Sequence, residues 1–230
     1  QALSVYRQIS QGADSVDIAN TLYNLANNYN DIEQYNKAED YYLQALSVYR
    51  QISQGADSVD IARTLNNLAI NYRRMKQYNK AEDYYLQALS VYRQISQGAD
   101  SVDIADTLYN LANNYSYMEQ YNKAEDYYLQ ALSVYRQISQ GADSVDIANT
   151  LYNLANNYND IEQYNKAEDY YLQALSVYRQ ISQGADSVDI ARTLNNLAIN
   201  YRRMKQYNKA EDYYLQALSV YRQISQGADS

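Results

Sequence analysis

Arginine is the residue best placed to do chemistry in this sequence. Arg63, Arg73, Arg74 and Lys76 cluster within one short stretch, and the set recurs as Arg192, Arg202, Arg203 and Lys205. A guanidinium presents a planar fork of N–H donors that matches a carboxylate or phosphate in bidentate fashion. The chemistry this predicts is recognition. His and Cys are absent, so there is no imidazole base, thiolate nucleophile or zinc cluster to build. There is no Gly-rich phosphate loop. Asp14 and Asp17 in "DSVD" could suggest a cation site, but two carboxylates at a helix start read more simply as caps. Glu39 and Asp40 in "KAED" point in different directions on a helix and recur in five copies, which suits a solvated face. The expectation is therefore no catalytic residue, no metal, no cofactor and no enzyme activity.

Composition narrows the partners. The net charge of −8 argues against non-specific binding to nucleic acid or to an anionic membrane. No apolar run approaches about 18 residues, so no membrane span is expected. No signal peptide is visible, and the expected location is cytoplasmic. Gln1 reads as an arbitrary cut inside a longer array.

The elements that hold the arginines come from a repeat. "QALSVYRQISQGADSVDIA" begins at Gln1 and again at Gln44, Gln87, Gln130 and Gln173, a period of 43 residues. Residues 130–230 are identical to residues 1–101, so the array also cycles every three repeats. Such a period marks a solenoid or array. The expected division is a partial repeat over 1–18, then repeats 19–61, 62–104, 105–147, 148–190 and 191–230.

Within one repeat, Leu22, Leu25, Ala26 and Tyr29 line one helical face, and Ala38, Tyr42, Ala45, Tyr49 and Ile52 line another. Each repeat is thus two amphipathic helices of about 15–17 residues. Asn36 followed by Glu39 resembles a capping box at the start of the second helix. Gly55 sits where a left-handed C-terminal cap is wanted, and Asp57 or Ser58 can cap the next first helix. Small Ala residues let the backbones approach while Leu and Tyr fill the space. One pair cannot bury its face alone, and stacked pairs can.

The pattern Leu22-x2-Leu25-Ala26-x2-Tyr29, then Ala38-x3-Tyr42-x2-Ala45, resembles the tetratricopeptide repeat. Ala stands for the usual Gly and Tyr for the usual Phe. The terminal Pro is missing, and the period is longer than the usual length of about 34. The connector "GADSVDIA" is similar to that of the longer repeats of kinesin light chains and related receptor proteins, with one extra residue between Ala45 and Gly55. The resemblance covers the whole chain. It implies an all-α, right-handed superhelical solenoid of stacked antiparallel helix pairs, with the first helices lining a concave, ligand-binding side.

Differences between the repeats fall at seven positions only. Asn20, Tyr23, Asn27, Asn30, Asp31, Ile32 and Glu33 become Arg63, Asn66, Ile70, Arg73, Arg74, Met75 and Lys76. The third copy keeps Tyr109 and Asn113 and carries Asp106, Ser116, Tyr117 and Met118. The fourth copy restates the first as Asn149, Tyr152, Asn156, Asn159 and Asp160, and the fifth restates the second as Arg192, Asn195, Ile199, Arg202 and Arg203. At about 100° per residue, positions 20, 23, 27, 30 and 31 form a stripe opposite the core face, and 32 and 33 continue into the turn. Drift would vary every exposed surface, yet Lys37, Asp40, Gln44, Ser47 and Gln51 never vary. That favours a stripe that reads a ligand, although recent duplication or construction from modules would also freeze the frame. The variable set holds eight cations against six anions, so the remaining frame carries −10.

One unvarying residue shares this side: Asn24, Asn67, Asn110, Asn153 and Asn196. An amide both donates and accepts, so the ladder can hold an extended peptide, as related repeats do. It can equally brace neighbouring helices. The expected function is a scaffold, part of a larger protein, that binds a peptide or protein segment in its groove, including one with acidic groups. The alternatives are a structural spacer, a chain that stacks head to tail through uncapped ends, or a constructed array with no selected ligand.

Overall fold

The computed structural model describes residues 16–227, and among them lie ten helices and no strand. They are α1 (Val16–Asp31), α2 (Tyr35–Ile52), α3 (Val59–Arg74), α4 (Tyr78–Ile95), α5 (Val102–Tyr117), α6 (Tyr121–Ile138), α7 (Val145–Asp160), α8 (Tyr164–Ile181), α9 (Val188–Arg203) and α10 (Tyr207–Gly227). The all-α class and the stacked antiparallel pairs agree with the sequence reading. The chain divides into two compact units, residues 1–119 and 120–230. The first holds α1 to α5 and the second α6 to α10.

The caps explain where the helices begin and end. Ser58 is extended, and its Oγ accepts from the Ile61 N–H at 3.3 Å. Ser101, Ser144 and Ser187 do the same for Ile104, Ile147 and Ile190. Of the two expected caps, serine takes the position. Asp60 follows in the first turn, where a negative charge suits the helix dipole.

The capping box is not formed. The second helix already begins at Tyr35 after Gln34, which makes no side-chain cap bond, so Asn36 lies inside the helix. The cause is the preceding turn. The Gln34 N–H donates to the Tyr29 carbonyl at 2.8 Å and the Glu33 N–H to the Asn30 carbonyl at 3.1 Å. That is a Schellman closure, and it feeds the chain straight into α2. It also forces the residue at its corner into the left-handed region: Glu33 has φ 60° and Lys76 has φ 59°. After α2 the same closure recurs, but Gln54 (φ 52°) takes the corner and Gly55 (φ 84°) follows it, so the left-handed cap expected at Gly55 spans two residues.

The core is as patterned. In α3, Leu65, Leu68, Ala69 and Tyr72 are all nearly inaccessible, and Ala81, Tyr85 and Ala88 of α4 are completely so. Burying each large side chain contributes about 1.5–3 kcal/mol. In α1, Leu25 and Tyr29 are only half-buried.

Buried polar groups tie successive pairs together. Tyr72 donates to Glu39 Oε1 at 2.7 Å, and Tyr115 to Glu82, Tyr158 to Glu125 and Tyr201 to Glu168 at 2.6 Å. Glu39, Glu82, Glu125 and Glu168 are therefore half-buried acceptors for the next pair, which corrects the reading of a purely solvated face. A hydrogen bond to a charged acceptor contributes about 1.5–3 kcal/mol. Asn71 is fully buried, and its Nδ2 donates to the Tyr35 carbonyl at 3.0 Å. Asn114, Asn157 and Asn200 repeat the bond to Tyr78, Tyr121 and Tyr164.

Candidate functional site

The first helices carry the variable stripe. Its exposed residues in unit 1 are Asn24, Asp31, Arg63, Arg74 and Tyr117. Asn20, Tyr23, Asn27, Asn66, Asn67, Ile70, Arg73, Asp106, Tyr109, Asn110, Asn113 and Ser116 are half-buried, and Asn30 is buried. In unit 2, Asp160, Arg192, Arg202 and Arg203 are exposed, Asn149, Asn153, Asn156, Asn195, Asn196 and Ile199 are half-buried, and Tyr152 and Asn159 are buried. The expectation that the whole stripe faces away from the packed interior thus fails at Asn30, Tyr152 and Asn159. The reason lies on the helical wheel: Asn30 is only about 40° from Ala26, at the edge of the stripe.

Much of the stripe is spoken for by hydrogen bonds. Tyr42 reaches from α2 to donate to Asn27 Oδ1 at 2.6 Å, and Tyr49 donates to Asn20 Oδ1 at 2.5 Å. In unit 2, Tyr171 donates to Asn156 and Tyr178 to Asn149, both at 2.6 Å. These are the partners that the buried tyrosines require. Burial pushes the Tyr42 hydroxyl well above its ordinary value, and the Tyr49 hydroxyl up to about 12.

Asn67 and Asn196, copies of the unvarying asparagine, brace neighbouring helices. Asn67 Nδ2 donates to the Tyr23 hydroxyl at 2.6 Å and to Asn27 Oδ1 at 3.4 Å. Asn196 Nδ2 donates to Tyr152 at 2.7 Å and to Asn156 Oδ1 at 3.2 Å. Asn153 Oδ1 accepts from Asn156 at 3.5 Å. Asn24 is exposed, and Asn110 is half-buried.

The cations divide by role. Arg63 pairs with Asp60 at 2.6 Å and Arg192 with Asp189 at 2.8 Å, with all four side chains well exposed. Such surface pairs contribute at most about 1 kcal/mol and give way readily to another anion. Each guanidinium also covers a stripe tyrosine, Arg63 over Tyr23 at 5.2 Å and Arg192 over Tyr152 at 4.9 Å. Arg74 turns inward: its Nη1 donates to Asn30 Oδ1 at 2.6 Å and to the Asn30 carbonyl at 3.3 Å. Arg203 donates to the Asn159 carbonyl at 3.2 Å. Both thereby cap the C-terminal end of the preceding first helix, where a cation is favoured. Asp160 is pushed up by partial burial, and Arg203 opposes the shift.

Arg73 lies over the ring of Tyr117 at 5.9 Å, and Tyr117 stacks on Tyr78 at 6.0 Å with a 4° interplanar angle. Tyr117 is 63% exposed. This platform was not legible as a unit, because Tyr78 belongs to the invariant frame. Sequence reasoning also missed the buried asparagine of the Asn71 position; its signal was that a polar residue beside the core never varies.

No group of three His, Cys, Asp or Glu among the described residues is arranged to hold a metal, and no described helix is long and apolar enough to cross a membrane.

A family model for the tetratricopeptide repeat matches residues 1–51, 60–137 and 140–223. No curated protein matches the sequence. Among solved structures, BtubC (BKLC) from P. vanneervenii is 22% identical with a TM-score of 0.83, over 97% of this chain and 88% of that one. A Podosopora anserina putative kinesin light chain with nearly identical TPR-like repeats is 15% identical with a TM-score of 0.75, over 89% and 95%. The apo form of RapI is 16% identical with a TM-score of 0.67, over 97% and 90%. At these identities the likeness is one of fold.

Proposed function

Because the chain belongs to the tetratricopeptide repeat family, we propose that it is a non-catalytic scaffold whose first-helix stripe binds an extended, acidic peptide or protein segment. The observation that carries this reading is the placement of the cations. In a chain that is otherwise strongly acidic, Arg63 and Arg74 stand exposed on the stripe of the first unit, and Arg192, Arg202 and Arg203 on that of the second. Tyr117 and Tyr78 add a stacking platform beside Arg73. Arg63 and Arg192 need only release weak surface pairs to engage a ligand carboxylate. Asn24 and Asn110 are the copies of the asparagine ladder best placed to meet a peptide backbone, since Asn67 and Asn196 are committed to bracing.

The test is a random peptide-display library panned on the 230-residue chain. Acidic peptides should be retained, and the Arg73→Glu/Arg74→Glu and Arg202→Glu/Arg203→Glu variants should bind them at least tenfold more weakly. Circular dichroism controls for the capping role of Arg74 and Arg203. Binding that ignores both charge reversals sinks the proposal.

A second reading, self-association, draws on α10. Leu218 and Tyr221 are 42% and 40% exposed, while their counterparts Leu175 and Tyr178 within the same unit are 4% and 2% exposed. A second copy, or a further repeat of the same kind, would cover this face. Sedimentation that stays monomeric across a wide concentration range would count against it.

A further inference from the structure

The three methionines of the chain stand at equivalent places, and what lies beside them differs. Met75, Met118 and Met204 each follow the last residue of a first helix, and each is half-buried. Each thioether accepts from a frame asparagine, Asn71 at 3.6 Å, Asn114 at 3.6 Å and Asn200 at 3.7 Å. The same amides donate to the carbonyls of Tyr35, Tyr78 and Tyr164, which open the preceding second helices. One asparagine therefore holds a methionine and a tyrosine together at each of these junctions.

The residue before the methionine decides what covers that tyrosine. Before Met118 it is Tyr117, whose ring stacks on Tyr78 with centroids 6.0 Å apart and planes 4° apart. Before Met204 it is Arg203, which turns to the Asn159 carbonyl at 3.2 Å. Among the described residues no aromatic ring packs against Tyr164. Beside Tyr164 lies instead an open cavity of 340 Å³, bounded by the 162–166 turn and by Met204. One unit thus carries, as Tyr117, a built-in example of the group for which the other unit has room.

We propose that the cavity at Tyr164 receives a tyrosine or phenylalanine side chain of the bound segment, stacked on Tyr164 as Tyr117 stacks on Tyr78. Its volume lies at the low end of the roughly 300–1,000 Å³ typical of ligand sites, which suits one side chain. Offset rings attract each other beyond the area they bury, and a thioether beside an aromatic ring adds to this. A leucine side chain fills the space and gains neither contact. The same residues recur in the first unit as Tyr35, Arg74 and Met75, and there Arg74 likewise turns away, to Asn30. The site is therefore expected at Met75 and Met204, and at Met118 it is closed by the chain's own Tyr117.

This inference rests on the proposed peptide-binding stripe for the source of the ring, and two experiments keep their failures apart. The first needs no peptide. p-Cresol, the tyrosine side chain as a free molecule, is titrated against the 230-residue chain with isotopically labelled methionine methyls, assigned by Met75→Leu, Met118→Leu and Met204→Leu. Ring currents should shift the Met75 and Met204 methyl signals saturably and leave Met118 in place. Tyr164→Leu should remove the Met204 shift and keep that of Met75. Arg203→Tyr, which supplies an internal ring, should do the same, and the surviving Met75 shift reports that the variant is folded. Equal shifts of all three methyls, no shift, or a Met204 shift that survives Tyr164→Leu overturns the site. In the second experiment, peptides retained from the display library are resynthesised with each Tyr or Phe changed to Leu. One position should lose at least tenfold in affinity. Retained peptides with no such position overturn the proposed occupant and leave the stripe standing. Retention of no peptide overturns the stripe, while the methyl shifts still decide the cavity.

Discussion

Asn71 and Asn114 occupy the same place in successive repeats, and their different bonding allows a controlled measurement. Each is fully buried and each donates to a carbonyl of the preceding second helix at 3.0 Å. Only Asn71 also accepts, from Asn30 Nδ2 at 3.0 Å. Truncation to alanine opens a similar cavity and removes the same donor in both cases. Asn71→Ala additionally strands the Asn30 amide, whose residue is only 5% exposed. Asn114→Ala instead removes an oxygen that had no partner. The difference is the penalty for one buried unsatisfied donor, about 1–3 kcal/mol. In a domain of this size that corresponds to roughly 2–4 °C in midpoint per kcal/mol. Urea and thermal unfolding of the two variants, followed by circular dichroism, should place Asn71→Ala clearly below Asn114→Ala. Equal losses, or the reverse order, would refute the claim that the Asn30–Asn71 bond supports the fold.

Alkaline pH should unfold the chain steeply. Burial is the leading cause of the raised pKa values at Tyr42, Tyr72, Tyr85 and Tyr171. In the unfolded chain these hydroxyls release their protons near pH 10. The unfolded state then binds fewer protons than the folded one, so stability is intact below about pH 10 and falls above it, by up to about 1.4 kcal/mol per pH unit for each buried tyrosine. An unfolding midpoint in urea that does not change between pH 9 and pH 11 would contradict this. At the turns, Lys76→Gly should stabilise by about 0.5–1 kcal/mol, because glycine tolerates a φ of 59° that lysine does not. Gly98→Ala should destabilise by a similar amount, although its Cβ would meet nothing within 4 Å.

The helices and the core were legible because they rest on periodicity. Leu22, Ala26, Tyr42 and Ala45 recur at helical spacing, and they are buried in the structure. The capping box was misread because Asn36 and Glu39 satisfy a local rule while a nonlocal one decides. The Schellman turn starts α2 early, and Tyr72 of the next repeat takes Glu39. The stripe was found by internal comparison, but a helical wheel knows nothing of neighbours. It could not show that Tyr42 reaches through to Asn27, or that Asn30 lies under Arg74. One clue was present: Tyr23 and Asn27 change together to Asn66 and Ile70, while Tyr42 persists as Tyr85. A partner that stays while its acceptor leaves is the signature of a vacated bond.

The inward turn of Arg74 onto Asn30 has a consequence for how such an array can grow. That contact joins two different kinds of repeat, and it reappears in related form where Arg203 meets Asn159. A duplication of the arginine repeat alone would set it beside its own copy. Arg73 would then stand where Asn30 is needed, leaving an asparagine oxygen stranded, as at Asn114. Copying three repeats at once carries the Asn30–Arg74 contact along and leaves the stranded oxygen of Asn114 as it was. The identity of residues 130–230 with residues 1–101 sets each arginine repeat after the same neighbour, so that Arg203 meets Asn159 as Arg74 meets Asn30.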